Sequence, residues 1–215
     1  MARDFLHTSA LVDAVIAVLT GADGAAHTGG LPANWFADAQ DDLQTPLKLL
    51  EHGDLTDYAN QAALLEDLPA ILVRGRGLRR GPEQSISGIL RTLEQIRVVH
   101  VRGFDQCQDT NGARFVSMTR AREWYAKTLG QALFSDDRGM LAVIAINGTR
   151  TDPTLTCADD NGARVLGVTW TGWDLGLEDG EGATPEVSGI RALDAQVWAI
   201  ACDLEILVQT GGATA

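Results

Sequence analysis

Basic charge is scarce in this chain: 17 Lys and Arg stand against 29 Asp and Glu, a formal net charge of −12. Affinity for nucleic acid comes from neutralising phosphates with Lys and Arg, so this balance argues against a protein whose task is to grip DNA or RNA. Cysteine is also sparse. Cys107, Cys157 and Cys202 are an odd number at wide spacing, which predicts reduced thiols and no disulfide framework. Four histidines, His7, His27, His52 and His100, never fall close to a second ligand type, so no zinc pattern is present and no metal or cofactor is expected. The unbroken apolar runs are short, as at Leu141 to Ile146, far below the roughly 20 residues that span a bilayer, and no membrane segment is predicted. The apolar stretch Ala10 to Leu19 is interrupted by Asp13 and lacks a clear small-residue cleavage site, so it reads as a helix of the mature protein and not as a signal peptide. No repeat of fixed period is visible.

What the chain does have is a long alternating segment near its C-terminus. From Gln196 to Gln209 every second residue, Trp198, Ile200, Cys202, Leu204, Ile206 and Val208, is apolar, while Ala199, Ala201, Asp203, Glu205 and Leu207 form the other face. A period of two predicts a half-buried strand, and at roughly 3.3 Å per residue it would run about 45 Å, well beyond the usual five or six residues. With 45% hydrophobic residues and a mean hydropathy of −0.02, 215 residues suffice for one core with long loop insertions, so residues 1–215 are read as a single domain.

Helical spacing of Leu11, Val12, Val15, Ile16 and Leu19, with Thr8 or Ser9 as N-cap and Gly21 after the last turn, predicts a first helix. Residues 22–67 read as an acidic insertion carrying Asp38, Asp41, Asp42, Glu51, Asp54, Asp57, Glu66 and Asp67, with short helices expected near Thr45 to Leu50 and Tyr58 to Leu65. A strand opened by Pro69 follows, and its hairpin partner is expected within Leu90 to Phe104, although Ser85 to Gln95 also suits a helix. The stripe Phe115, Met118, Ala121, Tyr125, Leu129, Ala132 and Leu133 predicts a second helix over Arg114 to Phe134. Strands are expected at Leu141 to Ile146 and at Val165 to Trp173, with an acidic loop before the last strand.

Seven of the 17 basic side chains, Arg74, Arg76, Arg79, Arg80, Arg91, Arg97 and Arg102, fall within the one hairpin, while acids crowd residues 38–67 and 174–186. Separated charge of opposite sign on one chain is what head-to-tail packing of identical subunits exploits; a solvated basic face is the plainer alternative. Catalytic patterns are absent. Gly75, Gly77 and Gly81 have the wrong spacing for a dinucleotide loop, and Pro82 follows. No Gly-x-Ser-x-Gly elbow occurs, and Cys107 has no nearby group to activate it. Asp203 and Glu205 read as solvent-facing strand residues, His100 as a packed or surface histidine, and Trp35, Trp124, Trp170, Trp173 and Trp198 as core or interface anchors. No enzyme is expected.

The order of these segments resembles tail terminator proteins of long-tailed phages. The likeness is carried by the helix at Ala10 to Leu19, the strand Leu68 to Val73, its partner ending Gln95 to Val101, the helix containing Arg122-Glu123-Trp124-Tyr125, and Ile190 to Leu193 leading into Trp198 to Val208. It implies an α+β subunit, a mostly antiparallel sheet of four to five strands with two main helices packed on it. The same likeness implies a hexameric ring that caps the tail tube, meets a head-tail connector or stopper protein, and lets DNA through without specific binding. The protein would then belong to the virion tail or neck and be assembled in the host cytoplasm. Here Arg74, Arg76, Arg79, Arg80 and Arg97 are expected to contact neighbouring subunits or the tube, and Asp174, Glu178, Asp179, Glu181 and Glu186, or the acids of 38–67, to face the channel. The chain is longer than such subunits, through residues 22–67 and the loops near 103–113 and 147–163. A small cytoplasmic α+β enzyme or ligand-binding domain is the competing expectation.

Overall fold

A computed structural model of the chain describes residues 8–20, 31, 35, 47–53, 66–80, 90–103, 118–134, 164–174 and 197–210. Among these residues two helices, α1 (Thr8–Thr20) and α2 (Met118–Leu133), accompany five strands: β1 (Leu49–His52), β2 (Ala70–Arg80), β3 (Leu90–Gly103), β4 (Arg164–Asp174) and β5 (Val197–Thr210). The strands form one sheet in the order β1-β2-β3-β5-β4, with β1 parallel to β2 and every other pair antiparallel. The α+β class follows from the residues, since the 3.6-residue stripes of α1 and α2 and the two-residue alternation of β5 can bury their apolar sides only against one another. The anticipated strand at Leu141 to Ile146 and helix at Tyr58 to Leu65 lie outside the described residues.

Both helices cover one face of the sheet. Leu11, Val12, Val15, Val18 and Leu19 of α1 and Ala121, Tyr125, Leu129, Ala132 and Leu133 of α2 are buried against Ile71, Val73, Ile96, Val98, Ile200, Cys202, Leu204, Ile206 and Val208. Ile16 is only partly buried; Val18 completes the α1 stripe in its stead. The far face is not simply open. Leu68, Ala70, Val99, Val101, Ala199 and Ala201 make a second, smaller cluster there, so the side of β5 opposite its apolar stripe is buried at its first residues and half-exposed only from Asp203 onward.

Two expectations from the sequence are corrected. Residues 49–50 belong to a strand and not to a helix over Thr45 to Leu50, and residues 90–95 are strand, which removes the helical alternative there. Leu47, Leu49 and Leu50 are too short an apolar run for periodicity to decide. Tertiary pairing decides instead: the Lys48 amide donates to the Pro69 carbonyl at 2.9 Å, and the Gly53 amide to Val73 at 3.1 Å. Lys48 Nζ also donates to the Glu66 carbonyl at 3.0 Å. Pro69, lacking an N–H, sits just before β2, where no ladder bond is lost.

The start of α1 is seated on a glycine. A β-carbon at Gly75 would overlap Thr8 Cγ2, and Gly75 also lies where β2 bulges against β3, between Gly75 and Gly77. Thr8 does not act as a free cap. Its hydroxyl donates to Glu94 Oε2 at 2.9 Å, tying the helix to β3 across the bulge. Burial pushes the Glu94 carboxyl above its ordinary range, and the Thr8 bond partly offsets this. Gly75→Ala should therefore destabilise the fold by about 1–3 kcal/mol, the usual effect of forcing a methyl into a filled space. Adding Thr8→Ser, which removes Cγ2 but keeps the hydroxyl, should recover most of that loss in urea unfolding.

Candidate interaction surfaces

Two surfaces and one buried cluster emerge: an arginine-rich strip on the far face of the sheet, an apolar groove between α2 and β4, and a cation–aromatic cluster beneath the helices. The strip follows from register, because Arg74, Arg97 and Asp203 are successive partners across β2, β3 and β5. Arg97 donates through Nε to Asp203 Oδ1 at 2.7 Å and through Nη2 to Oδ2 at 2.5 Å, a two-pronged contact, and Arg76 Nη1 reaches Oδ2 at 3.2 Å. The side chain of Arg97 is 2% exposed, that of Asp203 30% and that of Arg76 37%. Beside them Gln95 Nε2 donates to Glu205 Oε1 at 3.0 Å. Asp203 is thus the counterion of two arginines and not the freely solvated carboxylate expected. Burial alone would raise its carboxyl, but the hydrogen bonds and charges of Arg97 and Arg76 outweigh that and hold it below the ordinary range.

Among the arginines assigned to subunit or tube contacts, Arg76 and Arg79 are exposed on β2, Arg74 is half-buried and Arg97 is held inside by Asp203. Arg80 ends β2, paired with Thr92. Of the acids assigned to the channel, Asp174 ends β4 opposite Ala201, whereas Glu178, Asp179, Glu181 and Glu186 lie outside the described residues, as does most of the 22–67 segment.

Of the described residues in that segment, Leu31, Trp35 and Leu47 are core, whereas Glu51, Glu66 and Asp67 are exposed. The Leu31 amide donates to the Leu19 carbonyl at 2.8 Å, and the Leu47 amide to Trp35, which brings the Trp35 ring over His100 and Tyr125 with centroids 5.1 and 5.3 Å away. Arg102 enters the same pocket, its guanidinium carbon 4.6 Å from the Tyr125 ring centre and 5.5 Å from Trp35. Its Nε donates to His100 Nε2 at 3.0 Å, which assigns the remaining imidazole proton to Nδ1. His100 is fully buried and Arg102 is 3% exposed. Desolvation, with the Arg102 charge added, lowers the His100 pKa well below its ordinary value and keeps the ring neutral. The i, i+2 spacing of His100 and Arg102 along a strand was the signal for this contact, since residues two apart share a face. Cys202 lies buried in the core as a free thiol pushed far up by burial and the Asp203 charge, which leaves it protonated and inert.

The groove depends on a bulge. Trp170 and Trp173 are three residues apart and would face opposite ways in a regular strand, but they oppose Leu204 and Cys202, only two apart, with Gly172 between them at φ 123°. Both indoles consequently lie on the helix side. Trp170 stacks on Phe134 at 6.2 Å and meets Trp173 edge-on at 6.0 Å. With Glu123, Lys127, Gly130 and Gln131 of α2 these rings enclose an open groove of about 490 Å³. Among the described residues no cluster of His, Cys, Asp or Glu has the makings of a metal site. No family model matches the chain, and no curated protein matches it.

Asp203→Asn should destabilise the protein by about 2–3 kcal/mol, below the roughly 3–5 kcal/mol of a fully buried pair, because Arg97 loses its counterion but Asp203 itself is partly solvated. The loss should shrink as pH falls through the depressed Asp203 pKa, where the wild-type carboxyl is itself protonated. His100 makes a separate prediction. Its unfolded form takes a proton near pH 6.5 and its folded form resists one, so below that pH stability should fall by up to about 1.4 kcal/mol per unit. His100→Gln, which keeps an acceptor for Arg102, should flatten the slope in denaturant titrations between pH 7.5 and 5.5.

Proposed function

We propose that this chain is a structural virion protein of the tail-terminator kind, whose copies close into a hexameric ring on the tail tube, end its growth and meet the neck. The observation that carries the reading is the sheet: two adjacent strands of 14 residues each, β3 and β5, in an α+β subunit whose helices sit on one side. Strands this long exceed what a single small core requires, and they carry the exposed basic end of β2 at one lateral edge and an aromatic strand at the other. Edges of unlike character suit head-to-tail contacts, which close into rings when the rotation permits. The net charge of −12 suits a lumen that DNA must traverse without ion pairs to its phosphates, with Asp174, Glu178, Asp179, Glu181 and Glu186 as the channel acids.

The groove favours a second reading, a ligand-binding domain or small enzyme, because apolar walls with a few polar groups at the rim also describe a small-molecule site. Mixing the protein with tail tube protein separates the two. Terminator action predicts tubes that stop elongating and carry a ring of six copies at one end, visible by electron microscopy and by light scattering. Tubes that grow unhindered and uncapped, with the protein left in solution, would refute it.

A further inference from the structure

Among the described residues only two large apolar side chains are exposed, Leu78 at 57% and Trp170 at 47%. They sit at opposite edges of one sheet. β1 flanks β2 only from Ala70 to Val73, so beyond that point β2 has no described strand on its outer side, and β4 is the last strand on the other side. They also share a face: Leu78 is the partner of Glu94, whose carboxylate takes the Thr8 hydroxyl on the helix side, and Trp170 is the partner of Leu204 in the helix-covered core. One edge therefore presents an apolar knob on the helix side. The other presents an apolar groove with two indoles and the Glu123 carboxylate on its rim.

We infer that the occupant of the α2–β4 groove is the Leu78 end of β2 from a second copy of this chain. Knob and groove match in chemistry. Leu78 supplies the aliphatic group that fits between Phe134, Trp170 and Trp173, whose walls offer it apolar contact on three sides. Because knob and groove lie on opposite edges of the same subunit, satisfying one leaves the other free for the next copy, which makes the contact heterologous and propagating. This rests on the ring reading for its biological setting but not for its chemistry.

The test uses the full chain, alone and with tail tube protein, in sedimentation and light scattering. Leu78→Asp removes the knob. Gln131→Trp, at an exposed α2 position on the groove wall, fills the groove without deleting any core group, and circular dichroism checks that both variants fold. Each variant should weaken self-association at least tenfold. An equimolar mixture should stop at pairs, because one intact knob and one intact groove make a single interface. A wild type that stays a single subunit in both settings, variants that associate as the wild type does, or a mixture that forms no pairs would overturn the inference. Loss of tube binding by Gln131→Trp with self-association unchanged would also overturn it, by giving the groove to the tube protein. Association that needs Leu78 and the groove, together with tubes left uncapped, would sustain the interface and sink the tail-terminator reading.

Discussion

Fourteen consecutive partners join β3 to β5, from Leu90 and Thr210 to Gly103 and Val197, without a shift of register. Nearly everything else is hung on that ladder: β2 pairs with the free side of β3, β4 with the free side of β5, and both helices lie over the rows the two strands make together. Its register has no tolerance. A slip of one residue would turn Ile200, Cys202, Leu204, Ile206 and Val208 away from the helices and push Asp203 and Glu205 into the core.

Apolar burial sets that register along the whole length, and a charge pair fixes it at one row. Arg97 is buried, and its guanidinium meets a two-pronged acceptor because Asp203 stands directly opposite. A slipped pairing would leave that cation facing a neutral neighbour, and a buried charge without its counterion is among the more expensive errors a fold can make. The pair is better understood as specifying which residues meet than as supplying net stability, because desolvating Arg97 consumes much of what the contact returns. Arg76 then adds to an acceptor already in place.

Long alternation and helical stripes made much of this architecture legible. β5, α1 and α2 carry patterns that only one secondary structure satisfies, and β3 does so from Ile96 to Arg102, whereas its first residues also suited a helix. What escaped were features whose cause lies elsewhere in the chain. β1 is a four-residue strand because the Pro69 to Val73 backbone offers it partners, not because its own residues demand extension. Trp35 was readable as a core or interface anchor, but its partners were not: it sits in a stretch that composition marks as an acidic insertion, and the cluster around Arg102 that receives it is assembled from distant residues. Register was equally hidden, so Asp203 looked solvated until Arg97 was placed across from it. The groove needed one further unpredictable detail, the bulge at Gly172 that brings two tryptophans of unlike parity to one side.

That bulge explains why the sheet has edges of unlike character. A sheet ending in a regular β4 would direct Trp170 and Trp173 to opposite faces, and neither face would gain a groove. With the extra residue, both indoles collect beside α2, and Trp170 stays half-exposed although it stacks on Phe134. At the opposite edge, the bulge between Gly75 and Gly77 shifts the parity of β2 so that Leu78 falls on the helix side with Gly75, and β1, which ends opposite Val73, does not reach it. Two local irregularities, each removing one strand from strict alternation, thus create both unlike edges. The regular ladder between them holds those edges at a fixed separation of three strand spacings, roughly 14 Å. A rigid spacer with unlike ends is the minimum a subunit needs to repeat itself at a constant angle.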